Sequence, residues 1–283
     1  MTEAHAAAPG MFKPQFTATM LLGENVNISF RQLLEELARI APDAVLGDWG
    51  GPVTDPDLVP GIEMVTLNDE ILSVIIVDAP ANPAILQPGP FRNPLWPNAE
   101  QEAAQHKAHI LVIGLKDPPD REGALVKARA VTWVTAALAR LVPVVGVSWA
   151  DGANLVSAAA FASIIKNNFS QPSHNAVPFW VRIKIARADD GPKGEPLMTM
   201  GTLGLHLFGL RELEYAPVPP DPMSMMGHAF GVMEYLLRSG KRLDEGETIG
   251  VESEGEMKFA ISLRDNSHFG PSPVARLTLI SGQ

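Results

Sequence analysis

Apolar positions along the chain alternate between two periods, one of strands and one of helices. Residues 16–22 form an apolar run of strand length. Ser29 and Gln32 then stand at capping-box spacing, and Phe30, Leu33, Leu34, Leu37 and Ala41 share one helical face. Residues 45–49 and the β-branched run 71–77 read as strands, the second bounded by Asn68-Asp69 and Pro80. A short helix over 99–107 and a strand over 110–115 complete the order β-α-β-β-α-β. That is the ferredoxin-like arrangement, an antiparallel sheet covered on one face by two helices. A Pro-rich loop spans 79–97.

Asp117-Pro-Pro-Asp120 breaks the pattern, and 122–141 is a long helical stretch stopped by Pro143. The same order of elements then returns: strand Val144–Trp149, helix 153–166, strands 179–187 and 200–210, helix Pro222–Ser239 and strand 257–263. The fold class expected is α+β, with two ferredoxin-like halves joined by a helix and a duplication legible in pattern only. The divisions are a flexible tail 1–14, a first half 15–118, a linking helix 119–143 and a second half 144–283. Arg182 and Lys184 alternate with Val181, Ile183 and Ile185, giving that strand one wet face. Asp221-Pro222 starts the following helix and Gly240 ends it. In 200–210, Leu203, Leu205 and Leu207 occupy one side and Phe208 and Leu210 the other, which predicts a central strand covered on both faces.

Composition narrows the functional classes. Across 283 residues, 32 acids against 22 bases give a formal charge of −10, which repels a phosphate backbone and makes nucleic acid a poor partner. The absence of cysteine removes disulfides, thiolate zinc sites and cysteine nucleophiles. No basic segment followed by an apolar run opens the chain, and the longest apolar stretch, 130–147, is interrupted by Arg140 and Pro143. Neither a signal peptide nor a membrane span is expected, and the location expected is cytoplasmic.

The run Thr199-Met-Gly-Thr-Leu-Gly-Leu-His-Leu-Phe-Gly-Leu-Arg-Glu-Leu-Glu214 resembles a bacterial family known as domain of unknown function four-two-six-one. Gly146-Val-Ser-Trp149, Leu155-Val156, Pro178-Phe-Trp-Val181 and Leu243-Asp-Glu-Gly-Glu-Thr-Ile-Gly250 are similar to it as well, so the resemblance spans 144–265. It implies a shared layout and lends no activity and no catalytic residue.

Candidate chemistry is sparse. Gly201, Gly204 and Gly209 permit close approach by a neighbouring element or bulges in the strand, and that structural role is the stronger reading. His206, Glu212 and Glu214 share a face if the strand stays regular, and the carboxylates would then serve a cationic partner or an acid–base pair. Gly146-Val-Ser-Trp-Ala150 is a near miss of a nucleophile elbow centred on Ser148, with alanine at the last glycine and the bulky Trp149 after the serine. His228 follows Ser224 by one helical turn, an arrangement common in surface contacts. His106 and His109 have metal-ligand spacing only if one helix carries both, and a helix-end role is favoured. Met223, Met226, Phe230 and Met233 form an apolar stripe that reads first as core. Asp244, Glu245, Glu247, Glu252, Glu254 and Glu256 are the strongest charge feature and read first as a solvated hairpin.

No set of catalytic groups is complete, and no cofactor or metal is expected. The leading expectation is a non-enzymatic protein-interaction module, of toxin-neutralising or accessory type, whose acidic surface meets a basic protein. Its binding residues would be Trp149, Gly201, Gly204, His206, Gly209, Glu212, Glu214, Asp244, Glu245 and Glu247. The alternative is a small hydrolase using His206 with Glu212 or Glu214, or Ser148.

Overall fold

The computed structural model describes residues 16–42, 44, 46–47, 62–83, 96–150, 154–171, 173–218, 222–250, 258–270 and 272–280. The tail 1–14, Asp221, Glu252, Glu254 and Glu256 lie outside the described residues, as do the side chains of Met223 and Ser224. The class is the expected α+β, built on two sheets in which antiparallel pairing dominates.

The first sheet contains β1 (Thr17–Leu22), β2 (Leu46–Gly47), β3 (Ile62–Leu67), β4 (Glu70–Val77), β5 (Ala108–Gly114), β6 (Val144–Trp149) and β7 (Asn154–Ser157), in the order β2-β3-β4-β5-β1-β6-β7. Asn68 and Asp69, at φ 50° and 66°, make the tight turn between β3 and β4. Helix α1 (Phe30–Ile40) opens with the capping box that Ser29 and Gln32 predict: the Gln32 amide donates to Ser29 Oγ at 3.2 Å and the Ser29 amide to Gln32 Oε1 at 3.1 Å. The short helix α2 (Ala99–Ala103) packs with Trp96, Leu21 and Leu155 in a satellite cluster of its own.

The second sheet has the order β11-β12-β13-β10-β9-β8, from β8 (Arg182–Arg187), β9 (Met198–Leu203), β10 (Glu212–Val218), β11 (Thr248–Gly250), β12 (Lys258–Arg264) and β13 (Val274–Ile280). Only β10 and β13 run parallel among its described pairs. The two sheets therefore do not share a strand order. Val144–Trp149 pairs with β1 of the first sheet although its place in the sequence assigns it to the second half. Residues 153–166 divide into β7 and helix α4 (Ala158–Asn168), because Ser157 caps the helix by accepting from the Ala160 amide. Likewise 179–187 divides into helix α5 (Val177–Trp180) and β8.

The helix α3 (Arg121–Leu141), expected as a link, is the centre of the molecule. Asp120 caps it through the Gly123 amide at 2.8 Å. One side rests on the first sheet, where buried Lys127 crosses Gly114 and pairs with Glu70; a methyl group on Gly114 would lie 2.8 Å from Lys127 Cδ. The other side meets the second half. Trp180 Nε1 donates to Thr132 Oγ1 at 2.8 Å, and Arg129 donates to Asn175, which in turn donates to Glu234 of helix α6 (Pro222–Ser239). Trp180 also stacks on Trp149 of β6, with ring centres 6.3 Å apart, and lies 5.6 Å from the ring of Phe208. One continuous core joins both sheets through these rings.

Trp180→Ala is expected to lower unfolding free energy by about 3–5 kcal/mol, since it empties a buried aromatic site and removes the indole donor from Thr132 Oγ1, whose own hydroxyl still donates to the Ala128 carbonyl. Urea denaturation checks this; a loss below about 1 kcal/mol would show that the rings do not join the halves.

Candidate functional site

The stretch 200–210 is not one strand. Strand β9 stops at Leu203 because Gly204 takes φ 133°, a conformation closed to most L-residues, and a methyl group there would come 2.4 Å from the Trp180 carbonyl oxygen. A single 3-10 turn, Leu205–Phe208, follows, and Gly209 at φ 69° returns the chain towards β10. The turn sinks Leu205 and Phe208 into the core and leaves the His206 ring outside. Gly201 is required for a different reason, because the Phe269 ring lies where its side chain would be.

This break in the strand creates a pocket of donors. The Glu212 carboxylate is 4% exposed and accepts from Thr202 Oγ1 at 2.6 Å, the Gly204 amide at 2.8 Å and the His206 amide at 3.1 Å. The His206 ring completes the set, with Nδ1 at 2.7 Å from Glu212 Oε1. Burial alone would raise the Glu212 pKa; hydrogen bonds from the His206 ring, Thr202 and the two amides more than reverse that and hold it below its ordinary value. An ionised carboxylate can only accept, so His206 Nδ1 carries a proton, and in the neutral ring Nε2 is the nitrogen that holds the lone pair. The His206 side chain is 54% exposed and stands in the wall of a cleft of about 690 Å³, between the turn, residues 241–244 and the start of β13.

Glu214 plays a different part. It accepts from Ser267 Oγ and the His268 amide, both at 2.6 Å, and so fastens the loop before β13 over the outer face of the sheet. The structure therefore joins His206 to Glu212 and sends Glu214 elsewhere. The strand-face argument failed because the 3-10 turn changes which side chains are neighbours.

The remaining candidates disperse. Trp149 is fully buried among Phe16, Phe179 and Trp180, and offers no binding surface. Ser148 is buried in β6 beside Thr19 and Leu155, with no hydrogen-bond partner for its hydroxyl among the described residues. His106 and His109 bond separately: the Ala81 amide donates to His106 Nε2, while His109 Nδ1 meets the Ala79 carbonyl. No group of residues able to hold a metal occurs among the described residues. His228 Nδ1 and the Tyr215 hydroxyl share a hydrogen bond of 2.8 Å inside the second half. Glu245 accepts from the Leu263 amide and Glu247 from the Asp244 amide and Lys241, so these members of the acidic run hold their own hairpin.

Residues 201–278 match the family described as Domain of unknown function (DUF4261). The match takes in Thr202, the 3-10 turn, Glu212 and the whole described lining of the cleft. No curated protein matches the chain. No helix among the described residues is long and apolar enough to cross a membrane. Sequence reasoning passed over Thr202, Arg211 and Arg242; the signal that could have found the first was a threonine and two glycines packed within a few residues of an acid.

Stability should rise with pH in two windows. His228 is held neutral by burial, its pKa lowered from 6.5 to about 4, so the unfolded chain binds more protons between those values and stability falls as pH drops through them. Glu212, lowered from 4.5, contributes stability above that value which is lost as pH falls through its folded pKa. His228→Gln should flatten the upper window and Glu212→Gln the lower one in urea denaturation at stepped pH. An unchanged acid limb in Glu212→Gln would contradict the assignment.

Proposed function

We propose that the protein is a small-molecule hydrolase whose chemistry takes place in the cleft beside β10. The observation carrying this reading is that a buried, ionised Glu212 holds by Nδ1 the exposed ring of His206, a residue in the wall of the cleft. In that role Nε2 accepts a proton from water as the water oxygen adds to a carbonyl or phosphoryl centre. The imidazolium then returns the proton to the departing oxygen. Glu212 touches no substrate; it is a positioning residue that fixes the tautomer and stabilises the transient positive charge.

The acidic-surface reading, in which a basic protein docks on the chain, rests on the net charge of −10. The engagement of Glu245 and Glu247 in local hydrogen bonds weighs against it.

A panel of p-nitrophenyl esters and phosphates tests the hydrolase reading. His206→Ala should reduce kcat/KM by about 100-fold or more, with a smaller loss in Glu212→Gln that falls on kcat rather than KM. Equal turnover by His206→Ala, or no turnover of any panel member by the wild type, would contradict it.

A further inference from the structure

We propose that the cleft takes an oxyanion, a carboxylate or phosphate group of its ligand, held by the guanidinium groups of Arg211 and Arg242 beside His206. This inference rests on the acid–base reading of the same cleft and names the ligand class.

The chain carries an excess of acid, yet this cleft is lined by Arg211, Lys241 and Arg242. Lys241 is matched by Glu247 at 3.0 Å. Arg211 and Arg242 are exposed and have no ion pair or hydrogen bond among the described residues. Unpaired arginines also stand at Arg31, Arg238 and Arg264, but none of these lines the cleft. The acids of the cleft leave the two guanidinium groups unsatisfied: Glu212 is already surrounded by donors, and Asp244 is the one other carboxylate in the lining. Arg242 also borders the neighbouring depression that holds Asp117, Asp120 and Arg121.

Leu236, Leu243, Leu263 and Ala275 supply an apolar wall, which lowers the local dielectric and strengthens a charge placed against it. Guanidinium forks match planar carboxylate and tetrahedral phosphate oxygens with paired hydrogen bonds, and a neutral ligand would leave them unused.

The test is an NMR titration of the full chain with inorganic phosphate, and separately with acetate, at low salt. The His206 Cε1–H and arginine Nε–H signals should shift saturably, and the tighter of the two anions identifies the group. In Arg211→Gln/Arg242→Gln the affinity should fall about tenfold or more. Arg31→Gln/Arg264→Gln removes the same charge elsewhere and should leave the affinity within about twofold, apart from general screening. Absence of saturable shifts with either anion, or equal loss in both double variants, would overturn the proposal. That failure is distinct from failure of the hydrolase reading, which is decided by His206→Ala turnover of a neutral ester.

Discussion

A carboxylate withdrawn from water must be given donors, and the way Glu212 receives them shapes everything around it. Taking such a charge out of solvent costs several kcal/mol, and a hydrogen bond to a charged group recovers about 1.5–3 kcal/mol. Donation from Thr202, the Gly204 and His206 amides and the His206 ring is therefore the condition for keeping the acid inside as an anion. Two of these donors are backbone amides that a continuous strand would have committed to its neighbours. The break after Leu203 frees them, and so the interrupted strand and the ionised Glu212 are one feature.

That break is in turn held by the core. The backbone at Gly204 lies against the Trp180 carbonyl, and Trp180 is bonded to Thr132 in the middle of α3. Phe208, at the end of the turn, reaches the rings of Phe16 and Trp180. The exposed imidazole is thus mounted on a turn anchored in the shared aromatic core. A site built this way keeps its geometry without a ligand, as acid–base chemistry requires.

Local sequence signals were legible where one residue type has one use. The Ser29–Gln32 box, the strand boundary at Asn68-Asp69, the break before α3 and the span of α6 all lie where their chemistry places them. The alternating leucines before and after Gly204 misled, because alternation describes a strand only while φ stays negative. Strands β3, β7, β10, β11 and β13 were missed, and β6 joined the sheet of the first half, since pairing partners are set by the whole chain rather than by a local period. Of the site, His206 and Glu212 were visible as residues but not as a pair distinct from Glu214. Arg211 and Arg242 carried no signal at all, as a surface arginine becomes a candidate only when the fold turns it into a cleft.

The central claim is that Glu212 dictates which nitrogen of the neutral His206 ring carries the proton, and imidazole nitrogen-15 chemical shifts of the neutral ring read it most directly. The account predicts the neutral Nδ1–H tautomer, converting towards a tautomer mixture in Glu212→Gln. A neutral ring protonated at Nε2 in the wild type would contradict it.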